Sequence, residues 1–319
     1  YAALYANTTG TQNNAIGNNA LDACTTGERN QAMGFNALTA LTTGYRNIAI
    51  GNDSMVTLTT GIRNVAVGEQ TLYYSTGSDN VAIGNKALLT NTSANDNVAV
   101  GSEALLNNTT GDQQVAVGRK CLRACTTGIQ NVAVGENAGV AVTTGDRNTI
   151  VGRDAGGLVT AGDNNLLLGH DAGKGGSPSG AITTASNVIC LGDNNITDIF
   201  CADTSISSSD KRDKTDITDF THGLNWINQL KPVTYRWDKR TWYDDNTPDG
   251  SKKRNKKHIG FLAQDVLAIE GNPTNKDDML VVNLNEDNTA YGLKYERLVP
   301  VLVNAVKELS TKITALEAK

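Results

Sequence analysis

Ten glycines, Gly17, Gly34, Gly51, Gly68, Gly84, Gly101, Gly118, Gly135, Gly152 and Gly169, follow one another at a step of seventeen residues, with a single step of sixteen. They belong to a unit of the form TTGxxNxAxGxxAL that runs from about residue 7 to 173. A unit this short cannot bury its own apolar face, so units held in register must stack on one another. Before each glycine stands an apolar triplet such as Val65-Ala66-Val67 or Val98-Ala99-Val100, and three residues after it a small residue, usually alanine. An apolar triplet and glycine, closed by Thr-Thr-Gly and an asparagine, predict a short strand, a turn, a second short strand and another turn. One repeat is then one coil of a β-solenoid. Coils stack about 4.8 Å apart, so ten build a rod of roughly 50 Å.

The central alanine of the triplet (Ala49, Ala66, Ala82, Ala99, Ala116, Ala133) faces opposite to its two larger neighbours, and both faces are apolar. A strand apolar on both sides is expected to be buried on both sides. One face fills the coil interior. Nothing else in the sequence covers the other, which predicts that several copies, most simply three, pack their solenoids around a common axis.

Asn13, Asn30, Asn47, Asn64, Asn80, Asn97, Asn131, Asn148 and Asn165 recur once per unit, with Gln114 in the one exceptional slot. A glycan-binding row is one reading. The other is a turn residue that tolerates left-handed geometry and stacks into a hydrogen-bonded ladder, and this is the reading adopted. Cys24 and Cys125 share a slot with Leu41, Leu58, Val142 and Val159, so they read as small core hydrophobes. Five cysteines without CxxC spacing, and no recurrent acidic ladder, give no reason to expect a metal or another cofactor. Reduced thiols fit assembly in a cytoplasm.

Apolar residues make up 39% of the chain, enough for real cores, and 28 basic against 33 acidic residues leave a net charge of -5. That balance argues against a general nucleic-acid binder. No stretch approaches the roughly 18 consecutive apolar residues of a membrane helix. The chain starts inside a repeat without methionine and is expected to be the C-terminal part of something longer.

Past Gly173 the repeat tapers into Gly-Ser-Pro and one more strand-like piece, Asn187 to Gly192. From Asp210 onward proline, tryptophan and charge announce a new domain. Its pieces are an amphipathic helix around Gly223 to Leu230, a strand from Val233 to Trp237, a hairpin loop containing "SKKRNKK", a strand and helix in "HIGFLAQDVLAIEG", and a long final helix. The basic loop lies beside turn formers, with no interleaved aromatic, and reads as solvated. In the final helix Tyr295, Leu302, Leu309 and Leu316 fall seven apart, as do Val299, Val306 and Ile313, which is an a/d ladder. β-branched residues at a with leucine at d favour two strands in isolated coiled coils, but the solenoid is taken to decide for three.

The junction reads "SSSDKRDK", residues 207 to 214. Ser209 becomes a nucleophile only beside a base, and a lysine, with a reference pKa of about 10.4, serves as one only where burial or neighbouring cations such as Lys211 and Arg212 favour its neutral form. The strings "SSDKRDKTDI", "GLNWINQLKPVTYRW", "HIGFLAQDV" and "YERLVPVLVNAVKEL", in this order, resemble the intramolecular chaperone of phage tail spikes and fibres, peptidase family S74, over about residues 205 to 319. The upstream units resemble, more loosely, the head repeats of trimeric bacterial adhesins and of phage tail fibres.

The resemblance implies a module that trimerises, templates folding of the fibre before it and then cuts itself off. Its motif Ser-Asp-x-x-x-Lys is here Ser209 to Lys214, with Ser209 as nucleophile, Lys214 as base, and Ser208 and Asp210 as neighbours of the cleavage site. Residue 213, often apolar in relatives, is Asp here, which is expected to slow the cut. The implied trimerisation helix presents Val299, Leu302, Val306, Leu309, Ile313 and Leu316.

The fold class expected is mainly β. A homotrimeric β-solenoid or β-roll spans 1–173, a tapering junction 174–206, and a small α+β chaperone domain 207–319 ends in a coiled-coil helix at 295–319. The expected function is a structural and receptor-binding region of a tail fibre or tailspike, with only single-turnover, self-cleaving serine endopeptidase activity. Its partners would be two further copies of itself, a host cell-surface receptor (a glycan or a surface protein), and other tail proteins through an N-terminal region. No nucleic acid and no membrane insertion are expected, and the place is a virion assembled in host cytoplasm. Alternatives are a retained cap that does not cleave, a bacterial adhesin, which would end in a membrane barrel, a glycan-degrading tailspike, which needs a carboxylate pair, and a membrane-tethered transcription factor. Tyr45, Tyr73 and Tyr74 are candidate sugar-stacking residues.

Overall fold

The computed structural model describes residues 2–196, 209, 211–285 and 288–319. The chain divides into two compact units, Tyr1–Ile196 and Thr197–Lys319.

The first unit is a β-solenoid. Eleven three-residue strands form a single parallel sheet in sequence order: β1 (Asn14–Ile16), β2 (Gln31–Met33), β3 (Ile48–Ile50), β4 (Val65–Val67), β5 (Val81–Ile83), β6 (Val98–Val100), β7 (Val115–Val117), β8 (Val132–Val134), β9 (Thr149–Val151), β10 (Leu166–Leu168) and β11 (Ile189–Leu191). Equivalent residues pair from coil to coil, Ala99 with Ala116 and Ala116 with Ala133, including across the sixteen-residue step, where Val65 pairs with Val81.

Each coil contains one strand and not the two expected. The remainder is a chain of turns in which, besides the ladder glycine, three residues per coil take positive φ, such as Asn36 (φ 55), Leu38 (φ 54) and Arg46 (φ 59). An isolated residue there costs about 1–2 kcal/mol. The cost is offset because the left-handed residues aim their amides along the solenoid axis. Asn36 N–H donates to Asn18 O and Arg46 N–H to Glu28 O in the coil before, and Leu38 N–H to Ser54 O in the coil after, each at 3.0 Å. The inter-coil bonds of a second strand are thus made without extended backbone, which no period-2 pattern in the sequence announces.

The interior is filled by three rows: the strand centres, fully buried from Ala49 to Leu167; the pair three and four residues after each ladder glycine, alanine-leucine in Ala20-Leu21, Ala37-Leu38, Ala87-Leu88 and Ala104-Leu105 and Ser54-Met55, Thr71-Leu72 and Cys121-Leu122 elsewhere; and the fully buried slot of Cys24, Leu41, Leu58, Cys125, Val142 and Val159. Toward the C-terminal end the leucine becomes Gly139, Gly156 and Gly173 while the strand centre grows to Ile150 and Leu167. A methyl group on Gly156 would sit 3.0 Å from Ile150 Cδ1 and 3.1 Å from Leu167 Cδ1. One row gives up the volume the other takes, as a close-packed core requires. Ile150→Ala is expected to cost about 3 kcal/mol, read as a lower denaturation midpoint. Adding Gly156→Leu, which recreates the alanine-leucine arrangement of earlier coils, should recover most of the loss. The array is closed by Ile182, fully buried, whose N–H donates to Gly173 O.

The second unit is α+β. α1 (Leu224–Ile227) leads to the antiparallel pair β12 (Val233–Tyr235) and β13 (His258–Gly260), then α2 (Ala263–Ile269), a second hairpin of β14 (Val282–Leu284) and β15 (Tyr291–Leu293), and α3 (Leu298–Glu317). The β14–β15 hairpin has no signal in the sequence, because its strands are too short for alternation to show. Trp226, Val266, Met279, Val281, Val282, Leu298 and Val301 form the core. Tyr295, expected as the first rung of the helix, lies in a 3-10 turn at Tyr295–Arg297, and Pro300 falls in the first turn of α3, where a missing amide is tolerated. The basic loop 251–257 is exposed throughout, as expected; within it Arg254 lies 4.9 Å over the Trp242 ring and Lys252 5.2 Å over Tyr243. These aromatics come from the β12 side of the hairpin.

Candidate functional site

Two features of the second unit concern function. The first is at its head. Lys211–Asp213 form a 3-10 turn, and Lys214 N–H donates to Lys211 O at 3.3 Å, which turns the lysine back toward the serine five residues earlier. Lys214 Nζ donates to Ser209 Oγ at 2.7 Å. A nucleophile and a base must lie within such reach. As it stands the ammonium donates; to take the serine proton a lysine must first be neutral. Both residues are exposed in the single chain. Ser208 and Asp210 lie outside the described residues.

The second feature is α3. Leu298, Val301 and Ala305 are buried against the unit's core. The neighbouring stripe of Val299, Leu302, Val306, Leu309, Ile313 and Leu316 is between 43% and 69% exposed. The helix is therefore apolar on two faces, and only one is used. It is fastened to α1 and the segment before it by polar contacts: Asn304 Nδ2 donates to Phe220 O at 2.7 Å, and Glu308 Oε2 accepts from Leu224 N–H at 3.3 Å. Glu270, at the end of α2, accepts from the amides of Leu280, Val281 and Val282 and so fixes the start of β14.

In the solenoid the same asymmetry recurs. Ala66, Ala99 and Ala116 are buried inward, while their outward neighbours are partly or well exposed, among them Ile48, Ile50, Ile83, Val132, Val134 and Val151. The asparagine row is not available to a ligand. Asn47, fully buried, donates from Nδ2 to Asn30 Oδ1 at 3.1 Å and to Gly61 O at 2.8 Å, and Asn148 repeats the pattern with Asn131 and Gly162. The ladder is as expected, but the left-handed residue is the one before each asparagine, such as Arg46 or Arg147. Gln114 interrupts the side-chain ladder: its Oε1 accepts from Asn131 Nδ2 at 3.3 Å, but its Nε2 turns to Asn108 Oδ1 at 3.1 Å, so only its backbone N–H joins Asn97 Oδ1, at 2.9 Å, and Asn97 Nδ2 is left buried without a partner. Cys24, Cys121, Cys125 and Cys190 are free and buried, and burial pushes the Cys121 thiol up to about 12, which removes it as a thiolate nucleophile. Tyr74 is exposed and packs edge-on against Tyr73 with ring centres 4.6 Å apart.

Residues 209–274 match the family model Peptidase_S74, the chaperone of endosialidase. The match begins at Ser209 itself and takes in β12, β13 and α2. No curated protein and no solved structure matches the chain significantly. A chaperone-of-endosialidase segment behind a β-solenoid points to a protein of tail fibre or tailspike type. Among the described residues, no helix is long and apolar enough to cross a membrane.

Proposed function

We propose that this chain is the shaft and processing region of a phage tail fibre or tailspike, in which residues 207–319 bring three copies together, template the closing of their solenoids and then cut themselves away at Ser209. The observation that carries this reading is the 2.7 Å contact of Lys214 Nζ with Ser209 Oγ at the first residue of the matched segment. The unpartnered stripe of α3 supports it.

The chemistry follows from the pair. A neutral lysine takes the hydroxyl proton as Oγ adds to the adjacent backbone carbonyl; the C–N bond breaks, the lysine returns the proton to the leaving amine, and water then opens the ester. The tetrahedral oxyanion needs N–H donors. An exposed dyad is poorly suited to this, because water stabilises the ammonium. Association of three copies would bury the junction and so couple the cut to completed assembly.

A solenoid that presents an apolar sheet face has reason to need such help. Its coils are parallel, inter-chain register is not specified by near-identical repeats, and exposed edges invite wrong pairing. A C-terminal seed fixes the register once. After that the coils hold each other, and the fibre goes to the virion to meet a glycan or protein on the host surface.

Association is tested by native mass spectrometry of the Ser209→Ala chain, which stays uncut. Three copies are expected. Val306→Asp with Leu309→Asp changes only exposed positions of α3 and should give monomers with native circular dichroism. Monomeric parent chain, or trimers that survive both substitutions, would remove α3 from the proposal.

A further inference from the structure

We propose that the C-terminal end of the solenoid carries a site for a divalent transition-metal cation of the Zn²⁺ class, built by Asp154, His170 and Asp171 and completed by Asp193 of the last coil. The ligand atoms of Asp154, His170 and Asp171 all lie within 4.8 Å of one another. His170 Nδ1 is 3.4 Å from Asp171 Oδ2 and 3.7 Å from Asp193 Oδ2. These separations exceed the usual hydrogen-bond range of about 2.7–3.2 Å. They match the edge of a tetrahedron whose ligands stand about 2.1 Å from a central ion, which is about 3.4 Å.

The row to which the two aspartates belong gives an independent reason. Along it equivalent residues stack from coil to coil as Asn19, Asn36, Asp53, Gln70, Lys86, Glu103, Lys120, Asn137, Asp154 and Asp171. Elsewhere in the row a carboxylate has an amide or a cation as its neighbour: Asn36 Nδ2 donates to Asp53 Oδ1, and Asn137 Nδ2 to Asp154 Oδ1, each at 3.0 Å. Only at Asp154 and Asp171 do two like charges stack, which is unfavourable unless a cation lies between them. Arg153 Nε, 3.3 Å from Asp154 Oδ2, and Lys174 Nζ, 2.9 Å from Asp171 Oδ1, neutralise the outer oxygens. Asp171 Oδ2 and Asp193 Oδ2 face the imidazole, Asp193 Oδ2 also accepting from Asn195 Nδ2 at 2.9 Å, and the Arg153 side chain is 65% exposed. One nitrogen with carboxylate oxygens selects a borderline transition ion over Ca²⁺, which takes oxygen donors alone.

The position suggests the purpose. Asp193 follows β11, which is reached through a coil of 23 residues instead of seventeen, from Asn165 to Val188. A metal bridging Asp193 to the coils of Asp154 and Asp171 would staple this last, irregular coil to the regular array, at the end the proposed cut would expose.

Isothermal titration and thermal melting of the untagged full chain with Zn²⁺ test the site. One Zn²⁺ per chain and a raised melting temperature are expected. Affinity should fall at least tenfold in His170→Ala and in Asp171→Asn, and Ca²⁺ should give no shift. His170 is half exposed, so its variant should fold, and circular dichroism checks this. No response to millimolar Zn²⁺, or equal affinity in His170→Ala, which retains His222 and His258, would overturn the assignment.

Discussion

Ser209→Ala is expected to leave the purified chain at its full 33.7 kDa, while the parent chain separates into a fibre ending near residue 209 and a fragment running on to Lys319. Denaturing mass spectrometry distinguishes the two outcomes. Removal of the nucleophile should slow cleavage by at least about 10³-fold, as for other serine hydrolases. Lys214→Ala should do the same for want of a base. Lys214→Arg is the sharper variant: it keeps a positive charge and a donor for Ser209 Oγ, yet a guanidinium cannot give up its proton near neutral pH. If Lys214→Arg cleaves at the parental rate, the lysine only positions the serine. If the parent chain stays whole, the module is a retained cap. Asp213→Leu is expected to speed the cut, as the family resemblance implies.

The second large effect is at the glycine ladder. Gly101 has φ 136, in a region that side chains rarely enter, and a methyl group there would lie 2.5 Å from Gly118 O and 2.6 Å from its carbonyl carbon. The obstacle is the backbone of the next coil, which cannot move without separating β6 from β7. Gly101→Ala is therefore expected to cost at least about 3 kcal/mol, the upper range for strained backbone of this kind, and to lower the melting temperature of the solenoid. Gly175→Ala is the control. It has no atom within 4 Å of an added methyl and should melt like the parent chain. Equal melting of the two variants would mean that the coils are not stacked as closely as these contacts require.

Much of the solenoid is legible because a seventeen-residue period repeats every constraint ten times. Over the ten repeats the obligate glycine shows as an invariant column within the one chain, and the inward alanine and the buried asparagine as columns broken only by Ile150 and Leu167 in the one and Gln114 in the other. The turn geometry is not legible. Leu38 or Leu72 at positive φ contradicts local preference, and only stacking against the next coil makes it favourable. Irregular stretches are less legible. The β14–β15 hairpin has strands of three residues held by Glu270 from another element, a long-range contact that leaves no local pattern. The proximity of Ser209 and Lys214 follows from a single turn and could be anticipated from the motif. His170, Asp154 and Asp193 could not, because they come from different coils and their meeting depends on the length of the last one.

The most direct test of the central proposal separates making the fibre from keeping it. Residues 1–208, assembled by the full chain and then released by the cut, should remain trimeric and thermally stable once the C-terminal fragment has been removed. The same residues, denatured and refolded alone or expressed without 209–319, should give monomers and aggregates, and refolding of the uncut Ser209→Ala chain should restore the trimer. Recovery of native trimers from residues 1–208 alone would contradict a chaperone role for the C-terminal unit.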